Sequence, residues 1–220
     1  MNQFWFLIKH EFRLEFRQKY LAASVFLFVL STVYVVYQAI QNVPDTKTWN
    51  ALLWIILLFG AFQAISRSFS READGLKIYL FHTVKPTQLI LAKLVYNVLF
   101  MFITALISLL CYALFLGFDA FTDASFLNYL IAFLSGAAGF GCLLTLVSAM
   151  AVQANAGSGL TAILGLPLSI PLILIITRLT TDVLNGAAQV TFLQNLAFLW
   201  VLNLGLAGLT YLLFPYLWRE

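Results

Sequence analysis

The chain has 220 residues, of which 62% are hydrophobic and only 10% are Asp, Glu, Lys or Arg. A soluble domain carries about a quarter charged residues, so this composition excludes a water-soluble enzyme and predicts an all-α polytopic membrane protein. The net charge of +3 comes from cations beside the apolar runs, which excludes a nucleic-acid-binding surface. The length leaves room for one membrane domain, residues 1–220.

Residues 1–20 predict an amphipathic helix rather than a span. Apolar side chains recur every fourth residue, at Phe4, Ile8, Phe12 and Phe16. Lys9, Arg13 and Arg17 form a parallel cationic stripe, so we expect the helix to lie along the membrane surface beside anionic headgroups. It is either a membrane anchor or a helix that moves with a partner subunit.

Six apolar runs follow, and a spanning helix needs about 20 residues. The expected spans are Leu21–Ile40, Asn50–Ser66, Leu89–Gly117, Phe126–Val152, Gly159–Thr177 and Phe192–Trp218. The second run is short, and the third is long enough to tilt.

The cations predict how these spans are oriented. Ten of the twelve Lys and Arg fall on one side of the six-span layout, and only Lys47 and Arg178 fall on the other. Cytoplasmic loops retain Lys and Arg. We therefore expect both termini, and the connection between the second and third spans, to be cytoplasmic.

Residues 67–88 form that connection and are long for a linker. Arg67, Arg71, Glu72 and Asp74 precede Gly75, which permits a turn, and an apolar run follows. The segment is either a solvated loop or a short helix that docks a cytoplasmic protein. Pro86 and Thr87 have the pattern of a helix start.

The fifth run contains two prolines that predict a kinked or broken helix. Pro167 and Pro171 each remove a backbone donor, and we expect Ser169 to help satisfy the freed carbonyls. Such a helix either lines a transport route or has a kink that serves packing.

Small and polar residues inside the runs predict helix packing. Close approach is expected at Gly136, Gly139, Gly141, Gly205 and Gly208. Bridges between helices are expected from Gln63, Asn97, Thr104, Ser108, Thr145, Ser148 and Asn203. Lys93, near the end of its run, is expected to extend its amine toward the interface.

Motifs for chemistry are missing from the sequence. It has no GxxxxGK[ST] phosphate loop, no metal-ligand cluster and no catalytic triad, so we expect no enzyme activity of its own. Cys111 and Cys142 lie in apolar runs and predict inert thiols. Any energy for mechanical work must then come from another subunit.

Three segments together resemble the CcmB family, the haem exporter protein B permeases of cytochrome c maturation. They are Phe12-Arg-Leu-Glu-Phe-Arg17, the stretch from Phe69 to Lys93 with Asp74-Gly75, and Leu166-Pro-Leu-Ser-Ile-Pro-Leu172. The chain departs from the family pattern at Asp74-Gly-Leu-Lys77, where an acidic residue is usual, and at the uncharged Gln153–Gly157.

The resemblance implies an ABC-2-type permease of the bacterial inner membrane, with an interfacial helix, six spans and a cytoplasmic coupling helix. It implies a partner ABC ATPase that binds ATP, a permease homodimer, and contact with other maturation proteins and a haem chaperone. Haem would be a transported or handled group, although His10 and His82 are expected at the cytoplasmic surface, where neither would ligate haem iron on the outer side. An ABC-2 permease for a lipid or drug and a membrane scaffold without transport are the alternatives.

Overall fold

A computed structural model describes residues 2–17, 19–40, 45–70, 86–117, 121, 126–153, 157–186 and 188–217. Within these ranges the fold is all-helical, as predicted. The helices, numbered in chain order, are α1 (Asn2–Arg17), α2 (Lys19–Ala39), α3 (Thr46–Ser70), α4 (Pro86–Leu116), α5 (Phe126–Gln153), α6 (Gly157–Leu184) and α7 (Gln189–Leu217).

Five helices in the described part of the chain are long and apolar enough to cross a membrane. The stretches are Thr46–Ile65, Thr87–Leu116, Phe126–Ala151, Gly159–Leu184 and Gln189–Pro215. In α2 the described apolar stretch is shorter, Ala23–Ala39. The polytopic membrane class is confirmed, whereas a sixth span stays a prediction.

The helix boundaries follow local sequence signals. As predicted, α4 begins at Pro86, since proline suits a first turn whose amide has no partner. Gly117 and Gly186 follow α4 and α6 with φ of 80° and 71°, the left-handed conformation that ends helices.

Polar residues continue two helices beyond the expected spans. The expected end of the fifth span at Thr177 was wrong, since its apolar stretch runs to Leu184. The helix α3 runs to Ser70, so Arg67 lies in a helix rather than in the connection. The helix α6 runs to Leu184, and the hydroxyls of Thr177 and Thr180 donate to carbonyls one turn back, at 2.6 and 2.7 Å. Asp182 therefore lies in the last turn of α6.

The helix α5 lies at the centre, packed against α3, α4, α6 and α7. Glycines permit these contacts: a Cβ on Gly136 would lie 2.5 Å from Trp54, and one on Gly141 would lie 3.0 Å from the Cα of Val98. Close approach is confirmed there. Gly205 and Gly208 make no such approach within this chain, where an added Cβ would meet nothing within 4 Å, so packing across a homodimer stays a prediction for them.

The two prolines of α6 do not break it. Pro167 and Pro171 are exposed inside a continuous helix. The buried hydroxyl of Ser169 donates to the carbonyl of Leu166 at 2.7 Å. Each proline frees the carbonyl four residues before it, which is that of Ile163 or Pro167. The Leu166 carbonyl is neither of these, so Ser169 does not satisfy a freed carbonyl.

Candidate functional site: the two ends of the helix bundle

A small apolar cluster fastens α1 to the bundle. We call this region the α1 end; its buried residues are Leu7 and Ile8 of α1, Leu89, Ile90 and Ala92 of α4, Ala149 of α5 and Phe214 of α7. The ring of Phe12 packs edge-on against Tyr96 of α4, with ring centroids 5.3 Å apart. The apolar face of α1 therefore lies mainly against the beginning of α4.

A buried ion pair lies in this interface. The Nζ of Lys93 donates to Oε1 of Glu11 at 3.0 Å, and the two residues are only 2% and 4% exposed. A buried charge that loses its partner is costly, so the pair holds α1 against α4. The expectation that the Lys93 amine reaches the membrane–water interface was wrong. The amine is buried, because the Glu11 carboxylate of α1 pairs with it between the helices.

The outward face of α1 has the character expected of an interfacial helix. Lys9 and Arg13 are exposed, as the cationic stripe predicted. Trp5 and Phe6 are exposed beside them, at 66% and 68%. Large apolar side chains next to cations suit the boundary between headgroups and acyl chains. Arg17 lies in the last turn of α1, and its side chain is outside the described residues.

The predicted coupling residues lie next to this end in the chain. Arg67 is near the end of α3, although its side chain is outside the described residues. Arg71, Glu72, Asp74 and Gly75 lie wholly outside them, so their docking role stays a prediction. Residues 71–85 join α3 to α4, the helix that carries Lys93.

The other end of the bundle is built on aromatic rings; we call it the opposite end. Along α4, Lys93 and Tyr112 are separated by about 28 Å, at 1.5 Å per residue. There Trp49 contacts Tyr112, Phe121 and Tyr129, with ring centroids 4.9, 5.5 and 6.3 Å apart. The hydroxyl of Tyr112 donates to the carbonyl of Trp49 at 3.1 Å.

Asn50 is the hydrogen-bonding centre of the opposite end. Its Nδ2 donates to the Thr177 carbonyl and to the hydroxyls of Thr180 and Thr181, at 3.1, 2.8 and 2.9 Å. Its Oδ1 accepts a bond of 3.2 Å from the Tyr129 hydroxyl. One fully buried amide thus joins α3 to α5 and α6 without any formal charge.

A groove of about 590 Å³ opens beside Asn50 at the opposite end. Its lining includes Lys47 at the start of α3 and Arg178 near the end of α6. Both cations are exposed, and neither has an ion-pair partner among the described residues. Asp182 also lines the groove and accepts a bond of 3.4 Å from Asn195.

Three hydrogen bonds between helices confirm four of the expected bridging residues, Gln63, Asn97, Thr145 and Asn203. Asn97 donates to Thr145 at 2.9 Å, Asn203 to the Ser135 carbonyl at 2.9 Å, and Gln63 to the Ser24 carbonyl at 3.4 Å. Thr104 was predicted wrongly, since its hydroxyl donates to Phe100 within α4. In the described ranges, the hydroxyl oxygens of Ser108 and Ser148 are buried without a hydrogen-bond partner.

Sequence reasoning missed Glu11 and Asn50. Glu11 lies one turn after Leu7, on the apolar face of α1. An acid on the buried face of an amphipathic helix is a signal for a buried cation. Asn50 was read only as the start of a span. Across the ranges that the structure describes, no group of three His, Cys, Asp or Glu side chains could hold a metal ion.

Comparison with known proteins gives one family. Residues 2–216 match the family model described as CcmB protein, which is nearly the whole chain. No curated protein sequence matches this chain.

Proposed function

The chain belongs to the CcmB protein family, and on that premise we propose that it is the permease subunit of an ATP-driven complex in cytochrome c maturation. Family membership makes it a membrane component of a haem-export system that associates with other components, such as an ATPase. In our proposal the ATPase binds and hydrolyses ATP, and this chain has no ATPase site of its own. The work serves haem delivery or release of a haem-loaded chaperone.

The link between α1 and α4 is the observation that carries this proposal. Residues 71–85 run directly into α4, and the pair of Glu11 with Lys93 ties α4 to α1 two turns later. A partner that pushes on the connection would move α4 and α1 together, because separating the buried pair would leave two unpaired charges inside the protein. A force applied to the aqueous surface would thereby reach the bundle.

We propose that ATPase docking uses Arg67, Arg71, Glu72, Asp74 and Gly75. Charged side chains there would contact a polar groove on the ATPase. The cationic bias of this side supports placing it in the cytoplasm of a bacterial inner-membrane protein with six spans and cytoplasmic termini. Two permease chains would assemble with the ATPase, and Pro167, Ser169 and Pro171 would let α6 bend during the cycle.

A double charge reversal tests the docking role. Arg71→Glu with Glu72→Arg should uncouple ATPase activity from cytochrome c assembly, while the protein still inserts at parental levels. The matched control is Asn185→Glu with Gln189→Arg, which places an acid and a cation on two exposed positions at the opposite end, outside the groove. It should leave assembly unchanged.

Unchanged cytochrome c assembly in the first variant would count against docking at residues 71 and 72. Deletion of the chain separates the alternatives: loss of c-type cytochromes supports the maturation role, and their retention favours a lipid or drug permease. Failure of any ATPase to co-purify would favour a scaffold.

A further inference from the structure

We propose that the groove at the opposite end is a binding site for an anionic phospholipid, with the headgroup phosphate held between Lys47 and Arg178. The site lies at the other end of the bundle from the start of α4 at Pro86 and does not depend on the proposed function. Four features of the groove support it: its cations, its floor, its walls and its depth.

The two cations are the only Lys or Arg that the six-span layout puts on this side. Both line the groove, and neither has an ion-pair partner among the described residues. Asp182 is the one acid in the lining, and it bonds Asn195. The lining therefore keeps a net positive charge, which suits an anion.

The polar floor of the groove is already satisfied. The amide nitrogen of Asn50 is engaged by Thr177, Thr180 and Thr181. Because this amide is already hydrogen-bonded, a ligand in the groove would bind the two cations at its rim. Asn50 of α3 is bonded to residues of α5 and α6. These bonds also fix the position of α3, which carries Lys47, relative to α6, which carries Arg178.

The walls are apolar and face outward. Ala51, Leu174 and Ile175 line the groove, and Ala51 and Leu174 are exposed. An anion with no apolar part would leave this surface uncovered. An acyl chain attached to the phosphate would lie along it, so the groove favours an amphiphile over a free phosphate.

The depth of Arg178 favours an anionic partner such as a phosphate. Arg178 lies inside the apolar stretch Gly159–Leu184, six residues before its end, or about 9 Å along the axis. A cation in the hydrocarbon region is costly unless it reaches the interface or pairs with an opposite charge. Lys47 lies at the start of the neighbouring span, so one headgroup could bridge the two.

Photocrosslinking from inside the groove tests the proposal. Ala51→Cys in the full chain is modified with a benzophenone maleimide, since native Cys111 and Cys142 are buried. The protein is placed in phosphatidylcholine vesicles with phosphatidylglycerol as the minor component, and mass spectrometry identifies the crosslinked lipid. Phosphatidylglycerol should be enriched above its share of the bilayer.

Lys47→Gln with Arg178→Gln should lower that enrichment about tenfold, because each cation near anionic headgroups favours them. Lys9→Gln with Arg13→Gln, a matched loss of two exposed cations at the α1 end, should leave it unchanged. Crosslinks that follow the bilayer composition, or enrichment that survives loss of both groove cations, would overturn the proposal. Loss of the phosphatidylglycerol crosslink when a carboxylated porphyrin, but not free phosphate, is added before irradiation would also overturn it by assigning the groove to another anionic amphiphile.

Discussion

The two ends of the bundle hold their helices together in different ways. At the α1 end, one buried ion pair and a small apolar cluster join α1 to α4. At the opposite end, a neutral amide and aromatic rings in edge-to-face contact join α3, α4, α5 and α6. Where one ion pair provides the main polar contact, a single substitution removes it. Where several hydrogen bonds and ring contacts share the stabilisation, one substitution removes only part of it. The α1 end should therefore respond more strongly to one substitution than the opposite end does.

The largest effect should come from removing one charge of the pair. Lys93→Met leaves the Glu11 carboxylate buried and unpaired, which costs about 3–5 kcal/mol for pairs of this kind. Hydrogen exchange should show α1 losing its protection in detergent. Glu11→Gln with Lys93→Met should recover most of the loss, because no charge is then stranded.

Lys9→Met is the control for this change, since Lys9 is an exposed cation of the same end. It should leave the exchange of α1 unchanged. Equal behaviour of Lys93→Met and Lys9→Met would show that the pair does not hold α1 in place.

A smaller loss is expected from the centre of the opposite end. Asn50→Ala strands the buried hydroxyl of Tyr129, and an unsatisfied buried group costs about 1–3 kcal/mol. Exchange should rise in α3 and α6 together, while α1 keeps its protection. Asn185→Ala, an exposed amide at the same end, should change nothing. An equal rise in α1 would contradict the independence of the two ends.

The contact between α4 and α5 tests the part of the bundle shared by both ends. A methyl group on Gly141 would press on the backbone of Val98, and overpacking typically costs about 1–3 kcal/mol. Gly141→Ala should lower the thermal midpoint and the protection of both ends. Gly205→Ala, which meets open space, should be neutral or slightly stabilising. A stable Gly141→Ala protein would refute the close contact.

The smallest effect is a pH dependence at the start of α3. A hydrogen bond from Thr48 lowers the pKa of Asp45 below its usual 3.8. The ionised form thus stabilises the folded state above about pH 4, and this contribution is lost as the pH falls through the lowered value. Protection of residues 46–50 should fall on acidification. Asp45→Asn should remove the pH dependence; a dependence that persists would assign it to another group.

The helices could be predicted from sequence because apolar length and charge bias are local signals. The start of α4 at Pro86 and the exposed stripe of Lys9 and Arg13 needed no knowledge of packing. The end of α6 was missed, since Thr177 and Thr180 look like a polar boundary until their hydroxyls bond within the helix.

The pair of Glu11 with Lys93 and the hydrogen bonds of Asn50 could not be predicted, because the partners are distant in the chain. Lys93 near a helix end is typical of a side chain that reaches water, and only the packing of α1 brings Glu11 to it. Asn50 bonds residues more than 120 positions away. The coupling residues Arg71 to Gly75 remain a prediction, supported by their charge and by their place between α3 and α4.

Co-purification of an ATPase tests most directly whether the α1 end is the one that receives the partner. The parent chain and two double variants, Arg71→Glu with Glu72→Arg and Lys47→Gln with Arg178→Gln, are extracted from membranes at matched levels. We predict that an ATPase accompanies the parent and the second variant and is lost from the first. Equal retention by the first variant, or selective loss from the second, would contradict the account.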